Sequence, residues 1–432
     1  MIHTERLVQE YFGVLDGELA VGGHKVSALA AAYGTPLFVY DAAILRRRLA
    51  MLRAAVPERV DVYFSIKANP NPAVASVFVT EGAGLEVASG AEFVRALGSG
   101  CPAQRILFAG PGKTAHELAY VVERGIGEIH VESDEELTRL IELDAPIHVA
   151  VRVNPLAAAS GGAMRMGGQP SQFGIDEERI EEVIRRVLEA PKLTFSGVHM
   201  FAGTQILDAE TLVNQWRHGL EMAIRASEIS RGPIAQLDLG GGLGVPYFQN
   251  ESPLDLEKVR ELSYALFAEL GGHDALASTQ IVLEPGRFLA GPSGLYIGRA
   301  TTVKQSRDKT FCVLDAGMHH HLAASGNLGQ VIKRDYPILN ASRAEADADT
   351  QVAVVGPLCT PLDSLGRKAM LPAATATGDL VAIFQSGAYG LTASPVGFLS
   401  QPMPAEVLVD GDSHRCIRER GTYEQPLVGL PR

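Results

Sequence analysis

Short apolar segments alternate with amphipathic segments between residues 60 and 290. In 176–190 the apolar residues follow the i, i+3, i+4, i+7 spacing of a helix, and 211–230 and 255–270 show the same pattern. Strand–helix alternation predicts parallel strands, and eight of them over about 230 residues favour an α/β fold with a (β/α)8 TIM barrel over an open doubly wound sheet. The predicted strands are rich in β-branched residues and comprise DVYFSIKA (61–68), GLEVAS (84–89), RILFAG (105–110), GEIHVE (127–132), IHVAVRVN (147–154), FSGVHMFAG (195–203), AQLDLGGG (235–242) and QIVLEPGR (280–287).

The remainder of the chain has a different pattern. Residues 291–432 contain strand-like runs separated by turn residues with few helical patterns, which predicts a mainly antiparallel C-terminal β domain. The first segment, 1–40, leads into the strand-like run TPLFVYD and is expected to contribute to that domain, so the barrel is assigned to 41–290. The polar stretch ASRAEADADT (341–350) is expected to form an exposed, mobile loop.

Composition narrows the class of protein. Lys and Arg total 38 against 50 Asp and Glu, and the net charge of −12 disfavours nucleic acid or an anionic membrane as the main partner. The four cysteines show no CxxC spacing, and no apolar run is long enough for a signal-peptide core or a membrane span. We therefore expect a cytoplasmic enzyme with reduced thiols.

Candidate chemistry collects at the ends of the predicted strands, where barrel enzymes carry their catalytic groups. Lys67 ends the first strand, either as a solvated lysine at the rim or as an amine for Schiff-base chemistry. Gly240–Gly242 follow the seventh strand, and Glu284 and Arg287 follow the eighth. A glycine run alone commonly marks a tight turn, but together with an arginine after the next strand it indicates a phosphate site.

A phosphate site and a strand-end lysine in one barrel mouth suggest pyridoxal phosphate. Lys67 would hold its aldehyde and the glycines its phosphate. A carboxylate at Glu284 would keep the pyridine nitrogen protonated, which makes the ring a strong electron sink. This arrangement suits reactions that generate a carbanion, such as decarboxylation.

The order and spacing of several motifs resemble the fold-type III pyridoxal-phosphate decarboxylases, the family of diaminopimelate and ornithine decarboxylases. The resemblance covers nearly the whole chain, from about residue 35 to 400, and implies an alanine-racemase-like barrel, a C-terminal β domain and a homodimer with shared active sites. The motifs are YFSIKANP, GLEVASGAE, GVHMFAGTQ, DLGGGLGVPY, EPGRFLAG, LDAGM, GPLCTPLD and SGAYG.

The resemblance also implies roles for single residues. Lys67, Glu284 and Cys359 are the implied catalytic residues, and Cys359, supplied by the second subunit, would protonate the product carbanion. Substrate contacts are assigned to Asp363, Arg165 and His320. The implied cofactor-binding residues are Lys67, Glu86, His199, Phe201, Thr204, Gly240, Gly241, Gly242, Glu284, Gly286, Arg287 and Tyr389. Structural alternatives remain open for some of them: a small buried thiol at Cys359, a packed ring at Tyr389 and a core histidine at His199.

Departures from the family pattern bear on the substrate. Phe201 stands where the family has a histidine stacked on the cofactor, and Thr360 stands where an acidic residue follows the motif cysteine. Ala323 aligns with the arginine that binds the distal carboxylate in diaminopimelate decarboxylases, although Arg165 in the segment 160–176 is a possible substitute. RMGGQPSQFGID and MHHH resemble the branch that decarboxylates carrier-protein-bound amino acids and the exosortase-associated decarboxylases.

The expected activity is therefore α-decarboxylation of an L-amino acid that is free or bound to an acyl-carrier protein, with diaminopimelate decarboxylation as an alternative. A racemase of this barrel type would place an arginine at the pyridine nitrogen, so Glu284 disfavours it. A non-catalytic homologue is disfavoured because Lys67, Glu284, Arg287 and Cys359 are all present. We expect no metal site, because three neighbours in a strand, His319–His321, would point to opposite faces.

Overall fold

The computed structural model describes residues 3–156, 164–165, 170–201, 203–330 and 333–425. The chain divides into two compact units. The barrel unit comprises Arg47–Val245 and Ser252–Leu289, and the β unit comprises Met1–Arg46, Pro246–Glu251 and Ala290–Arg432. The short segment Pro246–Glu251 therefore lies within the sequence range assigned to the barrel but belongs to the β unit.

The N-terminal part of the β unit contains two helices and four strands. The first three strands form a small antiparallel sheet, and the apolar run LFVYD forms the fourth strand, all five of whose residues are buried. These elements are α1 (His3–Tyr11), β1 (Gly13–Leu15), β2 (Glu18–Val21), β3 (His24–Lys25), α2 (Val26–Tyr33) and β4 (Leu37–Asp41).

The barrel unit contains a closed ring of eight parallel strands, as predicted. Each strand pairs with the next, and the last pairs with the first, which excludes the open-sheet alternative. The ring comprises β5 (Val60–Ser65), β6 (Gly84–Val87), β7 (Ile106–Phe108), β8 (Glu128–Val131), β9 (Ile147–Asn154), β12 (Leu193–Met200), β14 (Gln236–Asp238) and β15 (Gln280–Leu283). Among the described residues, three two-residue strands lie between these: β10 (Met164–Arg165), β11 (Ile175–Asp176) and β13 (Gly203–Thr204).

Helices follow the barrel strands, and polar residues define where they begin. Ser89 and Ser133 accept a hydrogen bond from the backbone of the first helical turn, and Thr114 and Glu117 form a reciprocal capping box. The helices are α3 (Ala42–Ala54), which precedes the first barrel strand, and α4 (Pro72–Thr80), α5 (Gly90–Gly98), α6 (Ala115–Glu123), α7 (Asp134–Glu142), α8 (Ile180–Glu189), α9 (Ala209–Ser230), α10 (Leu256–Ala268) and α11 (Arg287–Ala290).

The main sheet of the β unit has nine strands and is mostly antiparallel. Strand β4 lies in it, antiparallel to β16 and parallel to β22, and β17 and β19 form the other parallel pair. The C-terminal strands are β16 (Gly294–Ser306), β17 (Lys309–Leu314), β18 (Ile338–Asn340), β19 (Thr350–Val355), β20 (Ser364–Leu371), β21 (Leu380–Ile383), β22 (Ala405–Asp410) and β23 (Ser413–Arg418). A core of apolar side chains from β2, α2, β4, β16, β21 and β22 packs against one face of this sheet.

The start of the stretch 341–350 differs from the exposed loop that its composition predicts, whereas 344–349 contains neither helix nor strand and includes exposed residues. Ala341 is buried, and residues Ala341–Arg343 form a 3-10 turn. The side chains of Asn340 and Arg343 both donate hydrogen bonds to Asp379, which ties this turn to the sheet. Elsewhere, no helix in the described part of the chain is long and apolar enough to cross a membrane.

Candidate active site

Lys67 lies two residues beyond the end of β5, in the 3-10 turn Ile66–Ala68. Its Nζ donates to both carboxylate oxygens of Glu86, at 3.1 and 3.0 Å, and the hydroxyl of Ser65 donates to the same carboxylate. Ser65 and Glu86 face each other in register on adjacent strands. A buried carboxylate requires a cationic or hydrogen-bonding partner, and Glu86 has both in Lys67 and Ser65. Glu86 therefore holds the lysine at the carboxyl end of the barrel.

The glycines after β14 form a tight loop that no side chain could enter. Gly240 and Gly242 have φ of +64° and +93°, and a Cβ on Gly241 would lie 2.6 Å from the carbonyl oxygen of Glu284. In the described ranges no acceptor binds the amide N–H groups of Gly241 and Gly242. Two such donors in a concave backbone fit an anion such as phosphate.

Residues around the glycine loop include two more predicted cofactor contacts. The carbonyl oxygen of Gly203 lies 3.1 Å from where a Cβ of Gly242 would be, so its neighbour Thr204 is beside the loop. The ring of half-buried Phe201 packs on Gly240, where a Cβ would meet its Cδ2 at 2.8 Å. The phenylalanine thus occupies space that only a glycine at 240 leaves open.

A buried polar cluster lies at the carboxyl ends of β8, β12, β14 and β15. Glu284 Oε2 is 3.4 Å from His199 Nε2, and Glu284 Oε1 is 4.0 Å from His130 Nδ1. His130 Nε2 lies 3.7 Å from Asp238 Oδ2, and the two histidine rings are 4.3 Å apart. One ligand atom from each of these four residues lies within 4.8 Å of the others, a spacing that is also compatible with metal coordination.

Burial sets the protonation of this cluster. Burial and the neighbouring charge of Glu284 raise the pKa of Asp238 well above its usual range. Burial and the nearby His130 lower the pKa of His199 well below its usual value, so this imidazole is neutral. Glu284 Oε1 is buried, and a protonated Asp238 is placed to donate a hydrogen bond to the Glu284 carboxylate. A carboxylate has further lone pairs, so it can also accept from a protonated ring nitrogen.

His130 and Asp238 are absent from the set predicted from the sequence. Both are polar residues inside apolar strand runs, and that pattern was the available signal. His199 and Asp238 face each other in register across β12 and β14, so strand pairing brings them together.

Arg287 and Gly286 complete the barrel-side set. A Cβ on Gly286 would lie 2.9 Å from the Cβ of Ala68, so glycine is needed where this loop packs against the lysine turn. Arg287 is the first residue of α11, directly after it. Arg165 pairs through its backbone with Gly203, and its side chain lies outside the described residues.

Four predicted site residues belong to the β unit. Cys359 is exposed in the connection between β19 and β20, and Asp363 is buried at the end of that connection. Tyr389 is half-buried and has a left-handed backbone with φ of +54°. His320 is buried, and its Nδ1 lies 3.3 Å from the hydroxyl of Tyr296.

The strand expected for His319–His321 is wrong. The three residues lie in a turn after β17, and all three are buried. His321 Nε2 lies 3.1 Å from Ser386 Oγ, whereas neither ring nitrogen of His319 has a hydrogen-bond partner in the described ranges. Burial lowers the pKa of His319 to about 4 and the pKa values of the other two to about 3. The alternation of strand faces is therefore no argument about metal binding at this site.

Known proteins resemble this chain along most of its length. Residues 42–291 match the family model of the pyridoxal-dependent decarboxylases, pyridoxal binding domain. The L-glutamyl-(BtrI acyl-carrier protein) decarboxylase of Niallia circulans is 35% identical over 93% of this chain and 94% of its own. The diaminopimelate decarboxylase of Methanothermobacter thermautotrophicus is 33% identical over 96% of this chain and 95% of its own.

A solved structure shares the fold. The diaminopimelate decarboxylase of M. jannaschii in complex with L-lysine has a TM-score of 0.89 and 25% identity, with 98% of each chain covered. These similarities confirm the family, the enzyme class and the pyridoxal phosphate cofactor that the motifs predict. The chain belongs to the pyridoxal-dependent decarboxylases.

Proposed function

We propose that this decarboxylase removes the α-carboxylate of an L-amino acid that is carried as a thioester on an acyl-carrier protein. The observation that carries the catalytic part is the convergence of Lys67, the glycine loop and Glu284 at the carboxyl ends of the barrel strands. The carrier-protein part rests on the neutral residues at the substrate positions and on the similarity to the glutamyl-carrier-protein enzyme.

The barrel residues fit pyridoxal phosphate. Lys67 would bind its aldehyde, the amides of Gly241 and Gly242 its phosphate, and Glu284 its ring nitrogen. Pyridoxal phosphate supplies an electron sink for the electron pair that remains on the substrate when CO₂ departs. Glu284 would hold a proton at the ring nitrogen, since its carboxylate is buried and lies 3.4 Å from the neutral imidazole of His199. This role favours decarboxylation over racemisation, which does not need so strong a sink.

His199 and Asp238 support Glu284 in this role. A neutral His199 at 3.4 Å places no positive charge beside the carboxylate to compete for it. A protonated Asp238 avoids a second negative charge in the same buried cluster. The carboxylate of Glu284 would then face the ring nitrogen without a second negative charge beside it.

Proton delivery to the product is assigned to Cys359. Its thiol is exposed on the β19–β20 connection, where a reacting group is accessible.

We propose that the enzyme is a homodimer in which Cys359 of one subunit lies in the active site that contains Lys67 of the other. Mixing Lys67→Ala and Cys359→Ala proteins tests this arrangement, because random exchange leaves one intact site in half of the dimers and about a quarter of wild-type activity. Mixtures that stay as inactive as the separate variants would show that each chain forms its own site.

Two positions that carry charged residues in diaminopimelate decarboxylases have neutral residues in this chain. Ala323, which aligns with the carboxylate-binding arginine of diaminopimelate decarboxylases, is buried and provides no side-chain donor. Thr360 replaces the acidic residue after the cysteine and is neutral. An enzyme selects a substrate with a charged distal group by providing fixed polar partners for that charge. Ala323 and Thr360 provide no such partner. An amino acid attached to a carrier has no free charge at that end.

The decisive experiment is CO₂ release measured in parallel from diaminopimelate, lysine, ornithine, glutamate and glutamate loaded on a carrier protein. We expect the loaded glutamate to give the highest kcat/KM and diaminopimelate to be slower by about 10²-fold or more, the range that a missing polar contact produces. Rapid turnover of diaminopimelate would instead support the second candidate, which the 33% identical diaminopimelate decarboxylase favours. Glu284→Gln serves as the inactive reference in every reaction.

A further inference from the structure

Asp363 is expected from the sequence to bind the substrate, but its carboxylate is engaged within the β unit. Oδ1 accepts a hydrogen bond from the amide of Met318 at 2.7 Å, and Oδ2 accepts one from the amide of Leu358 at 2.9 Å. The side chain is buried. Both oxygens therefore have charge-assisted bonds to two different backbone segments.

Two glycines make room for this carboxylate. A Cβ on Gly356 would lie 2.2 Å from Asp363 Oδ2, and a Cβ on Gly317 would lie 2.8 Å from both oxygens. Backbone at 317–318 and 356–358 can approach the carboxylate only because these positions have no side chain. The sequence thus provides a fitted pocket for an aspartate at 363.

The same residue holds both neighbours of Cys359. Leu358, on its N-terminal side, donates to the carboxylate, and the carbonyl of Thr360, on its C-terminal side, accepts from the amide of Asp363 at 3.2 Å. The carbonyl of Asp363 in turn accepts from the amide of Gly356 at 3.1 Å, which closes the loop 356–363. The backbone of Cys359 is therefore fixed from both sides, although its thiol is exposed.

We infer that Asp363 is a positioning residue that fixes the loop carrying Cys359, and that it does not contact the substrate. This inference rests on the proposed function for the role of Cys359 as proton donor, but the loop contacts stand independently of it. The Asp363 side chain is buried, and each of its oxygens accepts an amide proton from the backbone of the β unit, so the carboxylate faces these backbone segments.

Asp363→Asn tests the contacts directly. The side-chain amide has the same shape but only one acceptor oxygen, so its NH₂ group would face one of the two amide donors. We expect hydrogen exchange at Leu358 and Met318 to be at least about tenfold faster than in the wild-type protein, in line with the loss of a charge-assisted bond. Unprotected amides at these positions in the wild-type protein would overturn the inference, and this measurement needs no variant.

Kinetics separate positioning from substrate binding. If Asp363 acts through Cys359, Asp363→Asn lowers kcat by about tenfold or more and changes KM by less than about twofold. Adding Asp363→Asn to Cys359→Ala then causes no further loss, because the two residues act as a unit. A raised KM with unchanged kcat, or losses that multiply in the double variant, would assign Asp363 to the substrate and overturn the inference.

Asp335→Asn is the matched control. Asp335 also accepts two backbone amides with its carboxylate, from Arg367 and Lys368 at 2.7 and 2.9 Å, in the same β unit but outside the cysteine loop. Its variant should leave kcat unchanged. If no substrate gives CO₂ with the wild-type protein, the proposed function fails, while the exchange rates at Leu358 and Met318 still decide the positioning role.

Discussion

The ammonium group of Lys67 lies 3.1 and 3.0 Å from the two carboxylate oxygens of Glu86. The lysine side chain is 48% exposed, whereas the glutamate is 1% exposed. The carboxylate is thus part of the barrel interior, and the amine reaches out from it toward solvent. This geometry offers an amine at a fixed point of the barrel end, which is what covalent attachment of an aldehyde requires.

Lys67→Ala is expected to abolish covalent attachment of pyridoxal phosphate. The wild-type protein should keep a visible cofactor band after desalting, and borohydride reduction followed by peptide mass spectrometry should locate the adduct at Lys67. Lys258→Ala, which removes an exposed lysine on α10 of the same unit, should retain both signals. An adduct that persists in Lys67→Ala would move the attachment site to another lysine.

Gly241→Ala is expected to weaken cofactor binding by about tenfold or more. The new Cβ would meet the carbonyl oxygen of Glu284 at 2.6 Å, so the loop must shift and its amides lose their orientation toward an anion. Cofactor affinity is measured by titrating the apoprotein and following fluorescence. Gly112→Ala is the control, because a Cβ there meets nothing within 4 Å. Equal affinities for the two variants would exclude the glycine loop as the phosphate site.

The barrel could be predicted because its strands and helices are each recognisable from short segments of sequence. Each strand is a short run rich in β-branched residues, each helix has one apolar face, and their alternation predicts parallel strands, eight of which favour a closed barrel over an open sheet. Lys67 and Glu284 were found for the same reason, since both directly follow such runs.

The polar cluster and the histidine turn depend on contacts between distant segments. His130 and Asp238 are 108 residues apart, counting from 130 to 238, and only strand order and register bring them within 3.7 Å. Asp315 and Gly317 precede His319–His321 and indicate a turn, but only packing inside the β unit buries all three histidines. The contact between His130 and Asp238 and the burial of the three histidines could not be predicted from neighbouring residues, because both depend on tertiary contacts.

The free energy of unfolding of Asp238→Asn, relative to that of the wild-type protein, should increase as the pH rises. The pKa of Asp238 is raised by burial and by Glu284, so the folded state keeps a proton that the unfolded state releases above its ordinary pKa. Wild-type stability therefore falls with rising pH in that window, by up to about 1.4 kcal/mol per pH unit, and the neutral amide removes this loss. Asparagine can still accept the amide proton of Gly240.

Urea unfolding at pH 5 to 8 checks this prediction, with the fluorescence of Trp216 as the probe, since the single tryptophan of the chain is buried in α9 of the barrel unit. Leu237→Ala is the control: it should destabilise by about 2–5 kcal/mol at every pH, because it removes buried apolar volume and no titrating group. A difference between Asp238→Asn and wild type that does not change with pH would mean that Asp238 is ionised in the folded protein.

His319→Leu is expected to reduce the acid sensitivity of the β unit. Burial lowers the pKa of His319 to about 4, so between about pH 4 and 6.5 the unfolded chain binds a proton that the folded chain does not. Stability is then lost as the pH falls through this window, and leucine removes up to about 1.4 kcal/mol per pH unit of that slope. At pH 7 the variant should differ from wild type by about 1 kcal/mol or less, because both ring nitrogens it deletes are buried without partners in the described ranges. Urea unfolding followed by circular dichroism measures how the free energy of unfolding changes with pH. Val354→Ala is the control, because removing buried apolar volume should lower stability equally at all pH values. If the pH dependence of His319→Leu equals that of the wild-type protein, another group causes the acid sensitivity.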